Sequence, residues 1–283
     1  MGGVLVVMVA LAFTTSTIFA RLTYDAGSDA VTVLALRYSV VALLLYLYFR
    51  LRGQPPWLPP PLGRKAIGVG LLVAAYAFGY LGAVQYIPVS LAVLIFYTYP
   101  LLTGVGARLF EREALSPGKL LALGLGLLGV ALAVEVTLTG IDARGLGLAA
   151  LGAVGIAASI IASQRAMRTT GSLSVTFYVN LVAAFVYLAV GLLRGGFALP
   201  DTAAGWHALL AMPLFFSVGI IGFFAAVSLI GGVKTATIMN VEPVFTVLGA
   251  VLVLGEHLAP LQLLGAALVV LAIFLVHRPL PQA

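Results

Sequence analysis

The sequence predicts an all-α integral membrane protein: ten transmembrane helices arranged as two inverted five-helix repeats. Three observations predict it: a composition that water does not solvate, ten apolar stretches of spanning length, and a series of residue matches at one fixed offset. Of the 283 residues, 62% are hydrophobic and 8% charged, whereas soluble domains run at roughly 45–50% apolar and about 25% charged. With a mean hydropathy of +1.16, the chain has too few charges to cover a globule in water. A soluble enzyme, a disordered chain and a nucleic-acid binder are excluded, and the bilayer becomes the solvent. The chain has no cysteine, which removes disulfides, thiolate nucleophiles and Cys-bound metals.

Met1 to Ala20 carry no charge and so lack the basic start of a signal peptide, which makes this stretch a retained first span. A helix needs about 20 mainly apolar residues to cross a hydrocarbon core of about 30 Å. Charged and turn residues then mark span 1 at Gly3–Arg21 and span 2 at Val31–Phe49, interrupted only by Arg37. The proline-rich Gly53–Pro61 reads as a stiff extended loop. Residues 66–107 hold no charge and are too long for one span, so the break is placed at Ile87-Pro88. That gives span 3 at Ala66–Tyr86 and span 4 at Val89–Ala107, followed by span 5 at Lys119–Val134. The second half repeats the rhythm at Gly147–Ser163, Ser174–Leu193, Leu209–Ile230, Val233–Leu254 and Leu261–Val276.

Lys and Arg excess on short loops marks the cytoplasmic side. With the N-terminus inside, the inner segments hold Arg50, Arg52, Arg64, Lys65, Arg108, Arg112, Lys119, Arg165, Arg168, Lys234 and Arg278. The outer segments hold only Arg21, Arg144 and Arg194. The expectation is a multi-pass protein of the cell (inner) membrane with both termini cytoplasmic.

An offset of 143 residues pairs Pro100 with Pro243, Glu113 with Glu256, Leu115 with Leu258, Pro117 with Pro260, Ser16 with Ser159, Arg21 with Gln164 and Arg37 with Asn180. The chain is thus expected to divide into five-helix repeats at residues 1–140 and 141–283. An odd number of spans per repeat turns the second upside down relative to the first. Such inverted repeats characterise secondary transporters, which hold substrate near the midplane.

The residues Tyr99-Pro100-Leu101-Leu102 with Phe110-Glu111-Arg112-Glu113-Ala114-Leu115, and Val241-Glu242-Pro243-Val244-Phe245 with Leu254-Gly255-Glu256-His257-Leu258, resemble the drug/metabolite transporter superfamily and its EamA repeats. Within it, the chain resembles the YddG-like amino acid exporter group. The resemblance covers the whole chain and implies a ten-helix basket, a central cavity lined by spans 1, 3, 4, 6, 8 and 9, and export of small metabolites such as amino acids. Tyr99 stands where the second repeat has Glu242, so the two halves of the site are not equivalent.

Charges inside spans are functional candidates because they are costly there. Glu242 lies about 12 Å into span 9 from Lys234, at 1.5 Å per residue. It either takes a proton or attracts a substrate ammonium, or else it hydrogen-bonds backbone groups freed by Pro243. Arg37 either forks onto a substrate carboxylate or snorkels outward to Asp25 or Asp29, the preferred reading. Lys234 reads as an interface anchor. Tyr76 and Tyr80 share a face of span 3, Tyr97 and Tyr99 stand mid-span, and Phe13, Phe19, Phe216, Phe223 and Phe224 complete an aromatic chamber. Tyr24, Tyr46, Tyr48 and Tyr86 suit the interfacial belt. Asn240, Ser16 and Ser159 are the remaining polar candidates. The substrate-binding set is therefore Phe13, Ser16, Tyr76, Tyr80, Tyr97, Tyr99, Ser159, Phe216, Phe223, Asn240 and Glu242.

Small residues in span 5 (Ala122, Gly126, Gly129, Ala133) and span 10 (Gly265-Ala266-Ala267) permit close helix approach. They suit packing within a monomer, or a dimer seam as the alternative. Pro88, Pro100, Pro213 and Pro243 are candidate hinges. No cofactor, catalytic or metal set is expected: His207, His257 and His277 sit at span ends, and the chain has no HExxH and no GxxxxGK[ST] loop. The expected partners are lipid and a small-molecule substrate, with no nucleic acid. The function implied is secondary export of amino acids, including aromatic or bulky neutral ones, by alternating access. Nucleosides or drugs are the alternative cargo, and an intramembrane enzyme or a channel the rival classes.

Overall fold

The computed structural model describes residues 2–83, 86–87, 89–111, 116–133, 142–245 and 260–277. Among them every regular element is a helix: α1 (Gly2–Asp25), α2 (Ala30–Leu51), α3 (Pro60–Ala83), α4 (Val89–Phe96), α5 (Tyr99–Glu111), α6 (Pro117–Ala133), α7 (Ala143–Thr170), α8 (Ser172–Leu193), α9 (Ala203–Ile230), α10 (Gly232–Met239), α11 (described over 241–245) and α12 (Pro260–His277). Six of these, α1, α2, α3, α7, α8 and α9, are long and apolar enough to cross a membrane, and α6 and α12 carry shorter apolar stretches. Leu128, Phe185, Leu193 and Leu210 are exposed along them. Lipid, which is as apolar as leucine, suits these side chains as water does not.

The structure departs from the expected boundaries at three places. Pro60 and Pro61, expected in the extended loop, are the first residues of α3. A proline there loses nothing, because the first helical N–H groups have no partner and its φ is already helical. Expected span 4 is two helices, α4 and α5, with a turn at 97–98, and expected span 9 is broken at Asn240. Pro213 lies inside α9 without interrupting it. Pro88, Arg112, Glu113, Leu115, Glu256, His257, Leu258 and Arg278 lie outside the described residues.

Two compact units result. The first comprises residues 1–74 and 162–229, the second residues 75–161 and 230–283. In the first, α2 packs along α8. Tyr38 stacks on Tyr187 at 5.9 Å and Phe49 meets Phe177 edge-on at 6.0 Å. Positions rise along one helix as they fall along the other, so the two run antiparallel. Helix α1 runs antiparallel to α9, with Gly222 against Val9 and Gly219 against Phe13. At the end of this unit the α1–α2 turn is tied to the segment after α8: Ser28 donates to the Ala198 carbonyl at 2.7 Å, the Ala198 N–H donates to Thr32 at 3.0 Å, and Arg194 pairs with Asp29. Asp29 also caps α2, accepting from the Thr32 N–H at 2.8 Å.

In the second unit α6 packs along α12. A Cβ on Gly129 would sit 2.7 Å from the Gly265 carbonyl oxygen, and one on Gly126 would be 3.7 Å from Ala272, so these helices too run antiparallel at backbone contact. The small residues of expected span 5 therefore serve packing within the chain. Helix α3 runs antiparallel to α7, where a Cβ on Gly79 would lie 2.9 Å from the Gly152 nitrogen. Ala83, Ile87, Ala92 and Ala149 form a small apolar core beside it.

Helix boundaries follow the 143-residue offset closely: α4 and α10 begin at Val89 and Gly232 and each has eight residues, and α6 and α12 begin at Pro117 and Pro260. Packing follows it as well. The two long seams, α2 on α8 and α6 on α12, each join elements equivalent under the offset. The Gly79–Gly152 approach in one unit has its counterpart in the Gly222–Val9 approach in the other.

Two outcomes follow. Gly129→Ala places a methyl against the Gly265 carbonyl and is expected to destabilise by about 1–3 kcal/mol. Gly124→Ala, on the same helix with nothing within 4 Å, gains helix propensity of up to about 1 kcal/mol; thermal unfolding in detergent compares them. Partial burial pulls the Asp29 carboxyl upward, but Arg194 and the Thr32 donors outweigh it and hold the group below the ordinary carboxylate range. A folded-state value below the unfolded one means a stabilisation present above about pH 4 and lost as pH falls through the folded value. Wild-type melting temperature should therefore drop on acidification below about pH 4, and Asp29→Asn should remove part of that drop.

Candidate substrate site

The candidate residues fall into two clusters, one in each unit. In the second unit the site is built on the two helix breaks. Helix α4 stops at Phe96, where the Thr98 N–H and hydroxyl both donate to the Ile95 carbonyl, at 3.1 and 2.7 Å. Helix α5 restarts with Pro100 in its first turn, where a missing N–H costs nothing. Helix α10 ends the same way: the Asn240 N–H donates to the Thr237 carbonyl at 3.3 Å, and Pro243 follows three residues on. The two breaks, at Tyr97 and Asn240, are equivalent under the offset.

Phe96 is the hub of the aromatic groups gathered there. Its ring centre lies 4.6 Å from Tyr80, 5.7 Å from Tyr99, 5.8 Å from Tyr97 and 6.2 Å from Tyr76, and Tyr97 and Tyr99 are 5.9 Å apart. Helix α7 supports the group with side-chain-free surface: a Cβ on Gly152 would meet the Phe96 ring at 3.4 Å and the Tyr80 nitrogen at 3.1 Å, and one on Gly155 would meet Tyr76 at 2.8 Å. Tyr97 and Tyr99 are buried. The Tyr97 hydroxyl lies close enough to the Glu242 carboxylate to interact with it electrostatically, linking the two breaks through side chains. Asn240 is 1% exposed, and its Oδ1 accepts no hydrogen bond among the described residues. The structure thus brings Tyr76, Tyr80, Tyr97, Tyr99, Asn240 and Glu242 into one unit. Ser159 is buried in the same unit and donates to the Ile156 carbonyl of its own helix at 2.8 Å. Phe96 was not among the sequence candidates; its position immediately before the break was the available signal.

In the first unit, Phe13 packs against Phe216 at 5.7 Å and Phe223 at 6.4 Å, and Ser16 donates to the Met212 carbonyl at 3.2 Å, linking α1 to α9. Phe19 stacks on Phe215 at 5.6 Å, and Phe224 meets Phe223 edge-on. Arg37 is also here. The acids expected to receive it are paired with other cations, Asp25 with Arg21 at 3.3 Å and Asp29 with Arg194. The Arg37 guanidinium lies 4.4 Å over the Phe216 ring and 5.0 Å from that of Tyr38.

Chemically, the second-unit cluster offers an acid with phenol hydroxyls and an amide oxygen among ring faces, a set suited to a small cation carrying apolar surface. The described residues hold no group of three or more His, Cys, Asp or Glu that would take a metal ion.

A polytopic helical fold with discontinuous helices and an intramembrane acid defines a class of proteins that move solutes across bilayers. The EamA-like transporter family matches residues 1–135 and 143–278, and the chain belongs to that family. It is 30% identical over 258 residues to the threonine/homoserine exporter RhtA of Escherichia coli (strain K12), covering 87% of this chain and 80% of that one. It is 28% identical over 256 residues to an uncharacterized transporter of Synechocystis sp., covering 84% and 76% of the two chains. A solved crystal structure matches with a TM-score of 0.83 at 20% identity, over 98% of this chain and 97% of its own, a likeness of fold alone. The chain is a membrane-embedded, multi-pass transporter of small molecules, not an enzyme.

Proposed function

We propose that this chain exports amino acids or closely related metabolites by alternating access, with substrate held at the paired helix breaks. The observation that carries the reading is the close approach of the Tyr97 hydroxyl at one break to the Glu242 carboxylate beside the other. A broken helix in lipid leaves backbone groups unmet unless they face protein or a cavity. Paired interruptions at matching positions of two repeats are the feature that points to a transport site. The Glu242 carboxylate supplies the charge for an ammonium group. The hydroxyl of Tyr97 and the rings of Tyr80, Phe96 and Tyr99 supply a surface for an aliphatic or aromatic side chain. The relative RhtA is named for two hydroxylated amino acids, which supports that cargo class.

Ten spans in two inverted repeats, residues 1–140 and 141–283, make the mechanism possible. Offset-equivalent helices that run antiparallel against each other, α2 with α8 and α6 with α12, support the inversion. Two oppositely oriented copies of one unit have two near-equivalent packings, each opening to one face. The charge bias of the loops supports cytoplasmic termini. No phosphate-binding loop is present in the sequence, so the driving force is a solute or ion gradient.

The test is a liposome uptake screen over labelled amino acids, nucleosides and cationic drugs, with and without a pH gradient. Saturable amino-acid flux is expected. Glu242→Gln should cut it by roughly tenfold or more, as befits loss of a charged hydrogen-bonding partner, with elution from gel filtration unchanged, and Tyr97→Phe should cut it less. Flux of nucleosides or drugs alone, or unaltered flux in Glu242→Gln, would contradict the reading.

A further inference from the structure

We infer that the connection between α2 and α3, residues 50–65, is a binding site for the headgroup of an anionic phospholipid. The first unit is electrically lopsided. Its acids, Asp25, Asp29 and Asp201, all lie at one end. There Asp25 and Asp29 pair with Arg21 and Arg194, and the Asp201 N–H donates to the Ala26 carbonyl at 2.8 Å. The other end is one length of the 22-residue α2 away, about 33 Å at 1.5 Å per residue. At that end Arg50, Arg52, Arg64 and Lys65 are all exposed, and residues 50–65 include no acid. Four cations in one short segment with no acid among them attract an anion.

A charge bias on a connection needs no fixed geometry, but this connection has one. Gly53, at a φ of 65°, ends α2, and the Gln54 N–H donates back to the Phe49 carbonyl at 2.9 Å. The Leu58 N–H donates to the Tyr178 hydroxyl at 3.0 Å, and five prolines between 55 and 61 stiffen the rest. Both arms converge on the start of α8. Phe49 meets Phe177 at 6.0 Å, Trp57 meets it at 5.7 Å, and a Cβ on Gly63 would sit 3.4 Å from the Tyr178 hydroxyl. Arg50 follows Phe49 and Arg64 follows Gly63, so cations from both arms are brought to one place with Trp57 between them in the chain. Trp57 is 59% exposed although its ring rests edge-on against Phe177 and Tyr178, a setting that suits an indole at headgroup level. The occupant also needs an apolar tail. Leu43, Leu47 and Leu51 form a row at four-residue spacing that ends at the cations, and all three are exposed, Leu51 at 88%. A free phosphate has nothing to lay along that row. A phospholipid puts its anionic head on the cations and an acyl chain on the leucines.

The experiment reads fluorescence quenching of the chain's two tryptophans, one at a time, in proteoliposomes. Trp206→Phe leaves Trp57 as the reporter. Trp57→Phe leaves Trp206, which stands at the acid-bearing end, where neighbouring Gly205 packs against Ala26. Vesicles are equimolar in phosphatidylglycerol and phosphatidylcholine and carry bromine on one lipid or the other. Trp57 is expected to prefer the brominated phosphatidylglycerol by about fivefold or more in relative association, the value of one basic residue near an anionic surface. Trp206 should show no such preference. Arg50→Gln, Arg52→Gln, Arg64→Gln and Lys65→Gln together should abolish the preference at Trp57 with gel-filtration elution unchanged. Arg52→Gln with Lys65→Gln should reduce it, and serves if the fourfold variant does not fold. Equal quenching of Trp57 by the two lipids, an equal anionic preference at Trp206, or a preference that survives loss of the cations would overturn the assignment. Absence of quenching of Trp57 by either lipid would place the patch in water, facing a soluble anion, and would overturn it as well.

Discussion

The constraint on which the structure depends is that hydrocarbon offers backbone N–H and C=O groups no partner. It explains why all described regular structure is helical, why chain segments change direction through tight turns, and why an interruption within a span is costly. Two interruptions nevertheless occur, at 97–98 and at Asn240. Each is followed by a proline placed where a helix begins, so the chain restarts without losing a donor it needs. The acid, the phenols and the unmet Asn240 oxygen gather at these breaks. In a fold that otherwise satisfies its backbone within each helix, this concentrated polarity is what supports the proposed substrate site.

Departures from symmetry tell more about function than the symmetry itself. Tyr97 corresponds to Asn240, Tyr99 to Glu242 and Arg37 to Asn180. The scaffold positions are shared: Pro100 with Pro243, and the helix starts of α4 with α10 and of α6 with α12. The shared positions carry the backbone pattern, while unlike side chains at matching positions make the two copies chemically different.

Much of the fold was legible in the sequence because hydropathy reports lipid exposure directly, and charge-free runs such as residues 66–107 admit few divisions. The breaks inside the expected fourth and ninth spans were not legible in hydropathy, since Tyr97, Thr98 and Asn240 are flanked by apolar residues on both sides. Only the prolines hinted at them. The start of α3 was misplaced because Pro60-Pro61 signals a loop in mid-chain but a preorganised first turn at a helix entry. Of the candidate site, the tyrosines and Glu242 were readable as polar groups at membrane depth. Phe96 was readable only through its place just before the break that Pro100 hints at, because an apolar ring in an apolar helix carries no pattern of its own. Arg37 was visible as an anomaly, but its setting depends on Phe216, far away in the chain, and on which cations take Asp25 and Asp29.

The proposed mechanism requires opposite orientation of the two repeats, and sidedness labelling tests that most directly. The native chain has no cysteine, so Gln54→Cys, between α2 and α3, and Leu199→Cys, at the equivalent connection between α8 and α9, each introduce a single exposed thiol. Labelling with a membrane-impermeant maleimide should reach the first only from the cytoplasmic face and the second only from the opposite face. Labelling of both from the same face would contradict the inverted arrangement and, with it, alternating access through the paired breaks.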